Sequence, residues 1–221
     1  MKLKIYFKFM VIGIVTISIV MFYFVTNSIA QISFKSVTIG KQIWMAENLN
    51  VDRFRNGDII PEMKTFEEWK IAGKNRQPAW SYYDYNSDNG KKYGKLYNWY
   101  AVKDVRGLAP EGWHIPTLVE LETLGYAVRN NSNVLKEIGQ GIGNGKGTNT
   151  SGFSALLAGH HYLKSGFYGL GIDGFFWSST EWKLQTSEPT ANILTFTSKN
   201  NTVYYINART ENGFSVRCIK D

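Results

Sequence analysis

The segment from Tyr93 to Glu120, YGKLYNWYAVKDVRGLAPEGWHIPTLVE, constrains the fold more than any other stretch. Tyr93, Tyr97, Trp99, Tyr100 and Trp113 crowd into it, and Gly94, Gly107, Pro110, Gly112 and Pro116 interrupt it. Large rings demand burial, while closely spaced glycine and proline forbid long regular elements. The segment therefore predicts a core built by irregular stretches folded over one another. Nothing in it is arranged to perform a reaction.

Composition becomes informative once the first thirty residues are set aside. Lys2, Lys4 and Lys8 make a basic start, Phe9 to Val25 is uncharged and apolar, and Ser28-Ile29-Ala30 offers small residues to a signal peptidase. Cleavage is expected before Gln31. The apolar run is long for a signal peptide and short for a comfortable membrane span. Residues 1–30 thus read as a signal peptide or a retained N-terminal anchor, and either places residues 31–221 outside the cytoplasm, as a secreted, periplasmic or cell-surface domain. No cysteine near the cleavage region could carry a lipid.

The remaining chain suits a single domain with a full hydrophobic core. Its charge is small, because removing the three leader lysines leaves 22 basic against 18 acidic residues. No concentrated basic track follows from that, so nucleic acid is not an expected partner. Cys218 is the sole cysteine, which excludes an intramolecular disulfide. It alternates with Val216 and Phe214 and reads as a small buried hydrophobe.

Short-range signals then outline the elements. Val37-Thr38-Ile39 and Gln42-Ile43-Trp44 flank Gly40-Lys41 as a tight hairpin. Thr65-Phe66-Glu67-Glu68 matches a capping box at the start of a helix of about two turns, ended by Gly73. Thr117-Leu118-Val119-Glu120 repeats the pattern after Pro116, and Leu118, Leu121, Leu124, Gly125 and Val128 recur on one helical face. Glu120 and Glu122 fall in the first turns, where negative charge suits the helix dipole. The run Gly139 to Gly152 lacks the Lys-Ser/Thr pair of a phosphate loop and reads as a mobile surface loop.

Beyond it, Phe153 to Leu157, His160 to Leu163, Phe175 to Ser178, Ala191 to Thr197, Thr202 to Asn207 and Phe214 to Ile219 read as strands. Ala191 to Asn207 forms a second hairpin around Ser198-Lys199-Asn200-Asn201. Helices in the first half and antiparallel strands in the second make an α+β domain, with two main short helices and long irregular loops.

Five blocks carry a family resemblance: Trp44 to Leu49 (WMAENL), Tyr93 to Val102 (YGKLYNWYAV), Leu108 to Thr117 (LAPEGWHIPT), Phe176 to Glu181 (FWSSTE) and Gly213 to Cys218 (GFSVRC). In this order they resemble the successive motifs of the Fibrobacter succinogenes major domain family, exported bacterial domains without an established activity. More distantly the arrangement is similar to the formylglycine-generating-enzyme and C-type-lectin-like fold group. That resemblance implies a helix after a Pro-Thr start and a closing strand beside the N-terminal one. The copper chemistry of the enzyme branch needs a cysteine pair, which one thiol cannot supply. Glu188-Pro189-Thr190 faintly resembles the lectin calcium motif, but calcium needs several converging hard oxygens, so a turn is expected instead.

No constellation nominates catalysis. His160 and His161 point to opposite faces of a strand and cannot share a metal, so one is expected inside and hydrogen-bonded, the other exposed. With His114 they match no zinc spacing. Ser178-Ser179-Thr180-Glu181 lacks a nucleophile elbow. Glu181 with Asp173 or Glu188 could form a hydrolytic carboxylate pair if their separation allowed it. If the end strands pair, Glu47 and Arg217 are expected to meet as a buried ion pair. Trp44, Trp99, Trp113 and Trp177 read as core.

The sequence therefore points to an exported binding module without catalytic, metal or cofactor residues, for a glycan or a surface protein. Its ligand face is expected in loops between Phe167 and Trp182, adjacent to Trp80–Tyr85, with Tyr168, Glu181, Trp182, His161 and Tyr162 as contacts. A surface-polysaccharide hydrolase using Glu181 and a second acid, or a structural envelope protein, is the alternative. Membrane contact would come only through an uncleaved N-terminal segment.

Overall fold

A computed structural model describes residues 34–182 and 189–221. The leader at 1–30 and Glu188 lie outside the described residues. The opening hairpin forms as its alternation predicts: β1 (Ser36–Ile39) pairs antiparallel with β2 (Gln42–Met45). Gly40 supplies the left-handed turn at φ 60°. β2 then pairs with β11 (Ile219–Lys220), and β11 with β5 (Trp113–His114), giving a sheet ordered β1-β2-β11-β5. Hydrogen bonds from Met45 N to Cys218 O (3.0 Å) and Leu49 N to Val216 O (2.8 Å) continue the seam. The two ends of the described domain therefore lie side by side. Cys218 is fully buried there, and burial pushes its thiol well above the usual range, so it acts as a small hydrophobe.

Both capping signals mark real helix starts. In α1 (Phe66–Lys74) Thr65 accepts from Glu68 N, and Trp69 and Ala72 face inward. Gly73 lies inside the helix rather than ending it, because a side chain there would collide with Leu163 and Glu211. Two short helices that the sequence did not announce follow, α2 (Ser87–Tyr93) and α3 (Trp99–Val102). In α4 (Leu118–Ala127) the capping box is complete, with Thr117 N donating to Glu120 Oε2 at 2.7 Å. Leu121 and Leu124 pack with Trp44, Phe153, Phe176, Leu194 and Phe196 in the main core.

β3 (Trp80–Ser81) pairs with β4 (Leu96–Tyr97), and β6 (Ala158–Tyr162) with β7 (Gly166–Leu170). β8 (Asp173–Trp182), β9 (Thr190–Thr197) and β10 (Tyr204–Arg209) form an antiparallel sheet ordered β10-β9-β8. The chain is thus α+β with several antiparallel sheets. Four expectations change. The stretch from Phe167 to Trp182 is mostly strand rather than loop. Phe153 to Leu157 is irregular, although Phe153, Ala155 and Leu157 are buried. Of Phe214 to Ile219, only the end joins a ladder, while Gly213, Phe214 and Ser215 make single bridges to His161, Tyr97 and Phe176. The glycine-rich run is pinned rather than loose, since Ile142 N donates to Ser198 O and Gly147 N to Gln140 O. Its glycines permit close backbone approach: a Cβ on Gly145 would sit 2.2 Å from Ser198 O.

Among the described residues three buried cations hold these irregular parts together, and their hydrogen bonds go to carbonyl and amide oxygens rather than to carboxylates. Lys136 Nζ donates to Thr197 O and Asn200 O, tying the segment just before the glycine-rich run to the β9–β10 turn. Lys95 Nζ donates to Asn50 and lies 4.3 Å from the Trp80 ring centre. Arg217 donates to Met45 O, Phe153 O and Asn48 Oδ1, with its guanidinium over the Phe153 ring. Glu47 is exposed, so the expected buried Glu47–Arg217 ion pair gives way to carbonyl and amide acceptors. A carboxylate would have to be desolvated to reach that site, whereas backbone carbonyls are already inside.

Candidate functional site: the aromatic cleft beside the β6–β7 hairpin

The hairpin β6–β7 sends His160 and His161 to opposite faces as alternation predicts, but both are buried, where one was expected to be exposed. His161 pairs across the strands with Phe167 and His160 with Tyr168. On the first face His161 is 0% exposed: its ring lies 4.5 Å from Trp69 and 4.3 Å from Phe167, and Nε2 shares a 2.9 Å hydrogen bond with the Tyr85 hydroxyl. Burial pushes Tyr85 up to about 12, and burial first, then the neighbouring His160, pulls His161 down to about 3. His161 therefore joins α1 and the Trp80–Tyr85 segment to the hairpin and presents no surface to an external ligand. That segment does adjoin the hairpin, through Tyr83 and Tyr85 against Phe167.

The second face carries the candidate site. Tyr162 and Tyr168 are 42% and 48% exposed, with ring centres 6.2 Å apart. Beside them a cleft of ≈ 520 Å³ opens between the hairpin tip, Tyr162 to Ser165, and strands β9 and β10. Phe175, Ile193 and Phe214 line it, as do Ile206 and Ala208 from β10, and Ser165 and Asn212 lie at its polar edge. Cross-strand register explains why these meet: Trp177, Ile193 and Ile206 form one row and Phe175, Thr195 and Tyr204 another. The opposite face of the same sheet, bearing Phe176, Leu194 and Phe196, is spent on the core under α4. Arg209, at the end of β10, holds Glu211 at 3.4 Å.

His160 sits behind the lining rings. It is 4% exposed, its ring lies 4.3 Å from Tyr162 and 4.6 Å from Phe175, and neither nitrogen has a hydrogen-bond partner. Burial lowers its pKa to about 4, so it is neutral at neutral pH.

Of the other expected contacts, Glu181 and Trp182 are both exposed at the far end of β8. Glu181 shares a row with Ala191 and Ala208, which reaches the cleft, and Trp182 shares the next with Thr190 and Arg209. As neighbours on a strand they do not share a face. Asp173 begins the same strand, eight residues before Glu181, which is roughly 25 Å at strand rise. A hydrolytic pair needs about 5–10 Å, so Asp173 does not serve as partner to Glu181. Among the described residues no group of three His, Cys, Asp or Glu side chains could hold a metal ion, and no helix is long and apolar enough to cross a membrane.

The sequence named Tyr162 and Tyr168 as contacts; the structure exposes both on one face of the hairpin, but the cleft beside them was not legible, because its walls come from segments far apart in the chain. His114, which the sequence offered only as part of a rejected zinc set, has a different role. That imidazole, half-buried, bridges Asp221 Oδ1 (2.7 Å) and Glu120 Oε1 (2.9 Å), joining β5, β11 and α4.

A family model described as Fibrobacter succinogenes major domain matches residues 37–220, and the chain belongs to that family. No curated protein and no solved structure matches the chain.

Proposed function

We propose that this chain is an extracytoplasmic, non-catalytic binding module that takes a glycan on the Tyr162–Tyr168 platform and in the adjoining cleft. The observation that carries the reading is the exposed tyrosine pair at the mouth of a ≈ 520 Å³ cleft with an apolar floor. Pyranose rings present flat apolar faces edged by hydroxyls. Tyrosine rings stack on such faces while amides and hydroxyls fix orientation. Ser165 and Asn212 at the cleft edge offer such groups, and Glu181 lies in a row leading to the cleft. The basic, apolar and small-residue order of the leader supports export. Pairing of the chain-end strands, with a capped helix after Pro116-Thr117, supports a C-type-lectin-like or formylglycine-generating-enzyme-like fold, but a fold alone selects no ligand.

The test is affinity electrophoresis of the full chain through gels containing mixed-linkage β-glucan, xylan or galactomannan. Retardation by at least one polysaccharide, reduced at least tenfold in affinity by Tyr162→Ala, is the expected result. Migration unaffected by all three, or a Tyr162→Ala variant as strongly retarded as the parent, would remove the cleft from consideration. Trp182→Ala measures whether the site extends beyond the cleft to the end of β8.

A further inference from the structure

The unused hydrogen-bonding capacity of His160 is the feature that the glycan reading leaves unexplained. His161, its neighbour, is equally buried and is given the Tyr85 hydroxyl as a partner. His160 receives none on either nitrogen. Polar groups shut away from water are ordinarily satisfied by the protein itself, and exceptions call for a reason. The surroundings of His160 supply one. Three rings that touch it, Tyr162, Phe175 and Phe214, also line the cleft, so the imidazole lies one side-chain layer beneath the cleft floor. Phe175 and Phe214 are stacked on each other at 5.1 Å, and Phe214 is 2% exposed, which fixes both. Tyr162 is different: it stands at the end of β6 and is 42% exposed. Exposed side chains change rotamer on the picosecond to nanosecond scale.

Resting on the glycan reading above, we propose that His160 determines specificity in the cleft by hydrogen-bonding a ligand hydroxyl that enters when Tyr162 swings aside. A neutral imidazole offers one N–H donor and one bare acceptor nitrogen. A sugar hydroxyl offers the complementary pair, whereas an apolar ring of the same size offers nothing and leaves the imidazole unpaired. The apolar floor supplies affinity and His160 supplies the selection for a hydroxylated ligand. Tyr162 is then both a stacking surface and a cover.

His160→Phe keeps an aromatic ring and removes both nitrogens. With the same polysaccharide gels, the expected result is at least tenfold weaker retardation, while the thermal midpoint stays unchanged or rises because an unpaired polar group has been removed. Retardation equal to the parent's would overturn the role of His160 and leave the glycan reading standing. Failure of the parent to bind any of the three polysaccharides would overturn both. Should His160→Phe fail to fold, the ring-nitrogen resonances of the parent chain decide in its place. Titration with methyl β-glucoside, methyl β-xyloside and methyl β-mannoside should move the His160 signals and spare His161, and constancy of both histidines would overturn the inference.

Discussion

The seam where the chain ends meet and the cleft beside the β6–β7 hairpin treat buried polar groups in opposite ways. At the seam Arg217 is 1% exposed, yet its two terminal nitrogens reach Met45 O, Phe153 O and Asn48 Oδ1, leaving only Nε unpartnered. At the cleft His160 is 4% exposed and makes no hydrogen bond. Both groups lie against aromatic rings, so packing does not distinguish them. On the proposed reading the difference is one of role: a polar group that staples the ends is satisfied within the fold, whereas one that meets a ligand is left incomplete.

Substitution at the two sites should therefore give opposite results. Arg217→Met removes the donors that Arg217 gives to a buried amide oxygen and two buried carbonyls, and is expected to cost about 3–5 kcal/mol of stability. His160→Phe should cost nothing or stabilise. Urea denaturation of both variants checks this, and a loss below about 1 kcal/mol at Arg217 would break the contrast.

Acid provides the next largest effect and acts most strongly on the hairpin. Burial lowers His160 to about 4 and His161 to about 3, against about 6.5 in the unfolded chain. Because the unfolded state binds these protons more readily, their contribution is complete above pH 6.5 and is lost as pH falls towards 4 and below. The expected loss is on the order of 3 kcal/mol for each, before the carboxylates titrate. Urea midpoints measured at pH 7, 5 and 4 should fall less steeply in His160→Phe than in the parent. Parallel curves would show that the imidazole is not sheltered as its position indicates.

What could be read from the sequence follows from how local each signal is. The two capped helices and the β1–β2 and β9–β10 hairpins depend on residues within a few positions of one another, and their residue types declare them. β7 does not, since Gly166 and Gly169 resemble a loop although Gly166, Phe167, Tyr168 and Leu170 all pair with β6. α2 has no apolar period and exists because Asn86 caps it and Gly90 lies so close to the Tyr82 ring that a Cβ would be 2.1 Å from it. Alternation assigned His160 and His161 to opposite faces, but it carried no information about Phe66, Trp69 and Tyr85 arriving to cover the second. Arg217 suggested a carboxylate because sequence displays side chains, whereas its partners are backbone carbonyls, which every residue has. The cleft combines residues from 162 to 214, and no local pattern encodes such a meeting.

The smallest expected effect belongs to His114, on the seam side, and its pH slope opposes that of the hairpin. Desolvation pulls this imidazole down, but hydrogen bonds to Glu120 and then Asp221 outweigh it and leave the pKa above the ordinary 6.5. With both nitrogens facing carboxylate oxygens, the charged form donates twice, which the neutral form cannot. A raised folded-state pKa makes the stabilisation complete below about pH 6.5 and removes it as pH rises through the folded value. His114 is 37% exposed, so solvent screening reduces the gain to about 0.5 kcal/mol. Thermal midpoints of the parent and His114→Gln should therefore differ more at pH 6 than at pH 8.5, and the difference should shrink in 1 M salt. A gap that is the same at both pH values would make His114 a packing residue only. Together the two slopes place greatest stability near pH 6.5 to 7, with the hairpin failing first on the acid side and the seam loosening slightly on the alkaline side.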